Sequence, residues 1–321
     1  MKKSLLPIMM LLVLAFSACS HSDDPEEDGG KGKLPSGKTY VEFVFKQQMP
    51  ETNFELGLYK LSGNDSKDWP YKTTHENIRL MLWPETKTED CNGKETSPIP
   101  VTPGETVSVL AYSTDNTNTL FSEPNLTSTP SLTASSKASS EEADQNTLYA
   151  DEICYVYSKS YKIPSGTNSY EKRKDEKLGN IYVHSDTLEL VPLTKPYLVE
   201  IQDPTGQMTQ VSNIVITGLA DGIDLLSGKT TDQEVDTYFE KALPIQAVTT
   251  VADTGERNFL GHVAAVRFRI WGPMSGSDVM LSFKVTANTK DYKFKVSIMD
   301  QISNSPNGGI IAITIPSGTL Q

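Results

Sequence analysis

The chain has 321 residues, 37 % of them hydrophobic, and 41 acids against 29 bases give it a formal charge of −12. Its length exceeds what a single core usually takes, and the acid excess argues against nucleic acid or an anionic membrane surface as a partner. The densest basic run, Glu171-Lys172-Arg173-Lys174-Asp175-Glu176-Lys177, is broken by acids and reads as a solvated surface segment.

Residues 1–18 read as a lipoprotein signal. Lys2 and Lys3 supply a positive start, Leu5 to Phe16 an apolar run too short to span a bilayer stably, and Ser17-Ala18-Cys19 a small-residue cleavage site. Cys19 is the expected acylated N-terminus, and residues 19–37, with Asp23, Asp24, Glu26, Glu27 and Asp28, form an acidic tether. The alternative is an ordinary secretory peptide ahead of a disordered spacer. Removing 1–18 takes away two lysines and no acid, so the mature charge deepens to −14. No second run of spanning length follows, and the rest is expected to be water-soluble.

Alternation with period two recurs along the chain, and helical periodicity hardly appears, which predicts an all-β protein. A first domain over 38–193 takes strands at Val41 to Phe45, Phe54 to Leu58, Ile78 to Trp83, Thr106 to Tyr112, Ile153 to Tyr157 and Ile181 to Leu190. Within it, 122–146 is rich in Ser, Thr, Ala and acids and predicts a long surface loop with a short helix at most near Ser139 to Gln145. Pro192 and Pro196 mark a composition change. A second domain over 194–321 then takes strands at Tyr197 to Ile201, Val211 to Leu219, Gly261 to Trp271, Val279 to Thr286, Tyr292 to Ile298 and Ile310 to Ile315. Thr231 to Leu243 is the one predicted helix of this half, and Ser303 to Gly309 is a turn.

Cys91 and Cys154 are the cysteines left once Cys19 is acylated. In an oxidising compartment they make either one disulfide or two partly buried thiols, and spacing alone does not decide. Catalytic chemistry is thin. His21 lies in the leader, and His75, His184 and His262 are scattered without His-x-x-x-His or Cys-x-x-Cys spacing. The carboxylates of Asp221 to Asp224 and of Asn64 to Asp68 fit turn chemistry rather than a calcium loop. No enzyme, cofactor or metal is expected.

With the leader and two all-β halves, three stretches carry a family resemblance: Ile78-Arg79-Leu80-Met81-Leu82-Trp83-Pro84, Val101 to Asp115 around Pro103-Gly104, and Val215-Ile216-Thr217-Gly218-Leu219-Ala220. Together they resemble a Bacteroidales fimbrillin-like lipoprotein. The resemblance implies two tandem transthyretin-like β-sandwiches, a lipid anchor in the outer membrane at the cell surface, and a role as stalk, tip or anchor subunit of fimbriae. Partners would be other fimbrial subunits or surface ligands. It also implies assembly by strand exchange: proteolysis removes the leader with the first strand, Thr39 to Lys46, and a C-terminal strand from another subunit fills the groove, with Gly309 to Pro316 either that donor or an ordinary closing strand of the second sandwich. An arginine-directed cut is not served here, because the first arginine is Arg79; Lys46 is the only basic residue between Thr39 and Tyr59 and so the candidate processing site. The runner-up reading is a glycan-binding surface lipoprotein of a polysaccharide-uptake system, which needs exposed aromatic platforms; Trp69, Trp83 and Trp271 are the tryptophans on offer. A hydrolase or inhibitor with an unrecognised site comes third.

Overall fold

The computed structural model describes residues 34–321 except 51–53, 55–56, 64–65, 67–68, 72–73, 85–86, 117, 127–129, 137–149 and 251–258. Cys19, the signal segment, most of the acidic tether and the expected short helix near 139–145 lie outside the described residues. The first half contains β1 (Thr39–Gln47), β2 (Ile78–Trp83), β3 (Lys87–Cys91), β4 (Ile99–Pro100), β5 (Thr106–Ser113), β6 (Thr119–Phe121), β7 (Thr133–Ser136), β8 (Cys154–Lys162), β9 (Glu171–Asp175) and β10 (Gly179–Pro192). The second contains β11 (Lys195–Asp203), β12 (Met208–Ala220), β13 (Gly222–Asp224), β14 (Glu234–Lys241), β15 (Gln246–Thr250), β16 (Phe259–Ile270), β17 (Met280–Ala287), β18 (Lys290–Ser297), a helix α1 (Met299–Asn304) and β19 (Gly309–Thr314).

Alternation becomes a sandwich in each half. In the first, β9-β10-β1-β4 packs over β3-β2-β5-β8, and the last two residues of β10 cross over to pair with β8. Val41, Phe43 and Phe45 from β1 meet Ile78, Leu80, Leu82, Val109 and Ala111 from the facing sheet. In the second half, β15-β16-β11-β19 packs over β14-β12-β17-β18 around Tyr197, Phe268, Ile216, Leu281 and Ile311. The all-β sandwich expectation is met. Each half is closed the same way, its first strand lying parallel to its last: β1 to β10 from Thr39↔Tyr182 to Gln47↔Leu190, and β11 to β19 from Tyr197↔Gly309 to Gln202↔Thr314.

Three expectations change. Thr231 to Leu243 contains the strand β14, not a helix: Val235, Thr237 and Phe239 point inward at period two while Tyr238 is exposed, and the segment pairs with the flank of β12. β-Branched and aromatic residues favour that pleated surface over a helix. Among the described residues of Phe54 to Leu58 there is no strand. This segment instead runs across to the second half, where the Tyr59 N–H donates to the buried Glu200 carboxylate at 2.8 Å and its hydroxyl to the Pro244 carbonyl at 2.9 Å. The described part of 122–146 is not wholly surface either. β7 pairs with both β6 and β13, and Leu132 and Ala134 are buried. Because β13 follows β12, this small sheet joins the two halves through their backbones.

One glycine matters to the second sandwich. Gly218, inside the Val215 to Ala220 motif, has φ +83° at an irregularity of β12, where a Cβ would collide with the Asp278 carbonyl. Its N–H donates to Glu234 Oε1 at 2.8 Å, so the bulge also anchors the start of β14.

Candidate functional site

Two places stand out: the strands β1 and β19, for which the sequence raises exchange, and a buried group of ionisable side chains that the sequence does not announce. β1 is held on one flank by nine residues of β10 and on the other by the two-residue β4 and a bridge from Val44 to Glu95. Phe43 is fully buried and meets Tyr161 edge-on at 5.4 Å. Lys46 lies inside β1, its side chain 64 % exposed and its Nζ 3.6 Å from the Glu189 carboxylate. β19 forms the edge of its sheet. Its outer flank is met by Gln301 of α1, whose Oε1 accepts the Ala312 N–H at 2.9 Å and whose Nε2 donates to the Ala312 carbonyl at 3.4 Å. A single amide side chain thus imitates one rung of a neighbouring strand.

Cys91 and Cys154 are both free thiols and both buried. Of the two alternatives, the structure holds the unpaired one, for a geometric reason. Cys91 faces Ile78, Ile78 faces Ser113, and continuing that register across β5 and β8 places Cys154 opposite Ser113. The two cysteines are therefore separated by three strand spacings, about 14 Å, whereas a disulfide needs Cα atoms within about 7 Å. Burial pushes the Cys91 thiol up to about 12 and raises that of Cys154 as well.

Cys154 belongs to the buried ionic group. His75 comes from the long β1–β2 connection, Asp115 follows β5, Glu152 precedes β8, and Arg269 lies on β16. His75 Nδ1 is 2.7 Å from Asp115 Oδ1, and Nε2 is 3.3 Å from Glu152 Oε1. Arg269 Nη2 donates to Glu152 Oε2 at 3.2 Å and to the Pro70 carbonyl, while its guanidinium lies over the rings of Trp69 and Tyr71 at 5.1 and 5.5 Å. Burial alone would lower the His75 pKa, but its contacts with Cys154, Glu152 and Asp115 prevail and lift it to about 10. Two basic side chains thus face two carboxylates, with His75, Glu152 and Arg269 buried and Asp115 partly exposed. Burial lowers the Arg269 pKa against the pull of Glu152.

The backbone around this group is fixed from outside. Gln47, at the end of β1, clamps His75 with both amide atoms, accepting its N–H at 2.8 Å and donating to its carbonyl at 3.0 Å. The Cys154 N–H donates to Ser113 Oγ at 3.0 Å. Sequence reading missed the group because its members are spread from 75 to 269, so no spacing betrays them. One local signal exists: in Glu152-Ile153-Cys154, period two puts a carboxylate on the same face as a core cysteine.

The tryptophans pack down. Trp83 stacks on Tyr157 at 5.9 Å, and buried Trp271 donates Nε1–H to Ser136 Oγ at 3.0 Å. Trp69 meets Phe54 edge-on at 5.7 Å and, with Tyr59, Lys60 and Leu198, lines a cleft of about 440 Å³. No helix among the described residues is long and apolar enough to cross a membrane.

Two four-on-four sandwiches, each shut by a parallel pair of first and last strands, define the chain as a tandem β-sandwich protein. It is similar over 88 % of its length to the fimbrial anchor protein Mfa2 from Porphyromonas gingivalis, with a TM-score of 0.50, 12 % identity and 92 % of that chain covered. An adhesin candidate from Bacteroides thetaiotaomicron matches over 88 % of this chain and 92 % of its own, with a TM-score of 0.52 and 11 % identity. At such identities the likeness is one of fold. No protein-family model and no curated protein matches the chain.

Proposed function

We propose that this protein is a structural or adhesion subunit of cell-surface fimbriae, tethered to the outer membrane through acylated Cys19, with domains over 38–193 and 194–321. The observation that carries the reading is the fold shared along nearly the whole chain with a fimbrial anchor protein. Among the three subunit roles, the anchor is favoured by Lys46, which lies in a paired strand rather than a loop and is therefore a poor protease substrate. A subunit that keeps β1 keeps its lipid.

Assembly by strand exchange remains part of the proposal, with β1 as the strand to be lost or retained and β19 as the donor. Val41, Phe43 and Phe45 contribute roughly 5 to 8 kcal/mol of burial, so a groove without β1 would strongly favour a replacement. Glycan binding is the second reading, and the aromatic cleft at Trp69 is the feature that serves it.

Immunogold electron microscopy with antibody to residues 194–321, alongside a sheared-filament fraction, tests the reading. Label at the base or end of thin filaments is expected. Label spread over the cell surface, with none in the sheared fraction, rejects the fimbrial role and leaves the glycan-binding one.

A further inference from the structure

We propose that His75, Glu152 and Cys154 form a buried zinc-type metal site. Independently of any role in fimbriae, the chain holds one nitrogen, one oxygen and one sulfur donor within 4.8 Å of one another, all on buried residues. Four-coordinate zinc takes donors at about 2.0–2.3 Å, which sets them roughly 3.3–3.8 Å apart. The edge from His75 Nε2 to Glu152 Oε1 is already 3.3 Å. Mixed nitrogen, thiolate and carboxylate donors suit Zn²⁺ and not the hard cations Ca²⁺ and Mg²⁺.

The surroundings orient each donor. Asp115 engages His75 Nδ1 at 2.7 Å, which keeps a proton on that nitrogen and turns the Nε2 lone pair toward the other two donors. Arg269 donates to Glu152 Oε2 at 3.2 Å, which orients the carboxylate with Oε1 toward His75 Nε2. Gln47 and Ser113 fix the backbones of His75 and Cys154, so the donors are held before any ion arrives.

The test uses the purified full chain, stripped with chelator and titrated with cobalt(II), then zinc. One cobalt per chain is expected, with the visible bands of tetrahedral cobalt and a thiolate-to-metal charge-transfer band. Zinc should displace it one for one. Cys154→Ser should lose the charge-transfer band while Cys91→Ser, about 14 Å away, keeps it. Asp115→Asn should weaken zinc binding by about 10–100-fold. A folded wild-type chain that takes up no stoichiometric cobalt, or a charge-transfer band lost in Cys91→Ser, overturns the proposal and leaves a metal-free ion network. These two readings suffice even where Cys154→Ser fails to fold.

Discussion

Asp203 shows how a single carboxylate can set the acid limit of stability. It closes β11 with 1 % of its surface exposed and accepts the Thr205 N–H at 2.9 Å, the Thr205 hydroxyl at 2.6 Å, and the N–H groups of Gln207 and Met208 at 2.6 and 2.7 Å. Burial would raise its pKa, but these donors outweigh burial and hold it below the ordinary 3.8. A carboxyl whose folded pKa lies below its unfolded one stabilises above the unfolded value, and that contribution disappears as pH falls through the folded value. Asp203→Asn turns an amide NH₂ toward N–H donors, so a loss of about 1–3 kcal/mol at pH 7 is expected, shrinking as pH falls below about 4. Urea denaturation of both proteins at pH 7 and pH 3 checks this; equal stability at pH 7 would mean that the donors find other acceptors. Turn chemistry of this kind is written within a few residues. The group at His75 is not, since His75, Glu152 and Arg269 meet only after two sandwiches have formed.

At the scale of elements, β1 makes two expectations concrete. Phe43→Ala removes a fully buried ring from the middle of the first sandwich and should cost about 3–5 kcal/mol in urea denaturation. Trypsin acting on the folded chain should spare the bond after Lys46, because that backbone is paired with Glu189 of β10; N-terminal sequencing of timed digests reads the outcome. Rapid native cleavage there would mean that β1 detaches, and would strengthen strand exchange over a retained anchor. Strands such as β1 and β17 were legible because their alternation is clean and their burial follows it, whereas β2 and β5 were legible as apolar runs that are buried on both faces. β14 was misread because Val235, Tyr238, Phe239 and Leu243 also fit a helical face, and only the open flank of β12 selects the strand. Phe54 to Leu58 alternates as well, yet Glu200 draws it out of the first sandwich. Pattern fixes which residues turn inward together, but not which neighbour they find.

The molecule as a whole is two sandwiches joined by more than a linker. β13 pairs with β7, Trp271 bonds Ser136, Arg269 bonds Glu152, and Glu200 holds Tyr59. Breaking these contacts would leave buried polar groups without partners on both sides. One cooperative urea transition is therefore expected, with tryptophan fluorescence and far-ultraviolet circular dichroism superimposing; two separate transitions would show that the halves unfold independently. The parallel closure of each half has a consequence for how the chain comes into being. A polypeptide leaves the ribosome N-terminus first, so β1 is among the earliest segments made, yet its long partner β10 ends only at Pro192. Until then β1 has only the two-residue β4 and the bridge to Glu95 on its other flank, and a chain halted midway leaves its longer edge unpaired. The last strand of each half acts as a seal that only a finished half can apply, and unfinished chains are marked for capture by whatever recognises bare apolar strands.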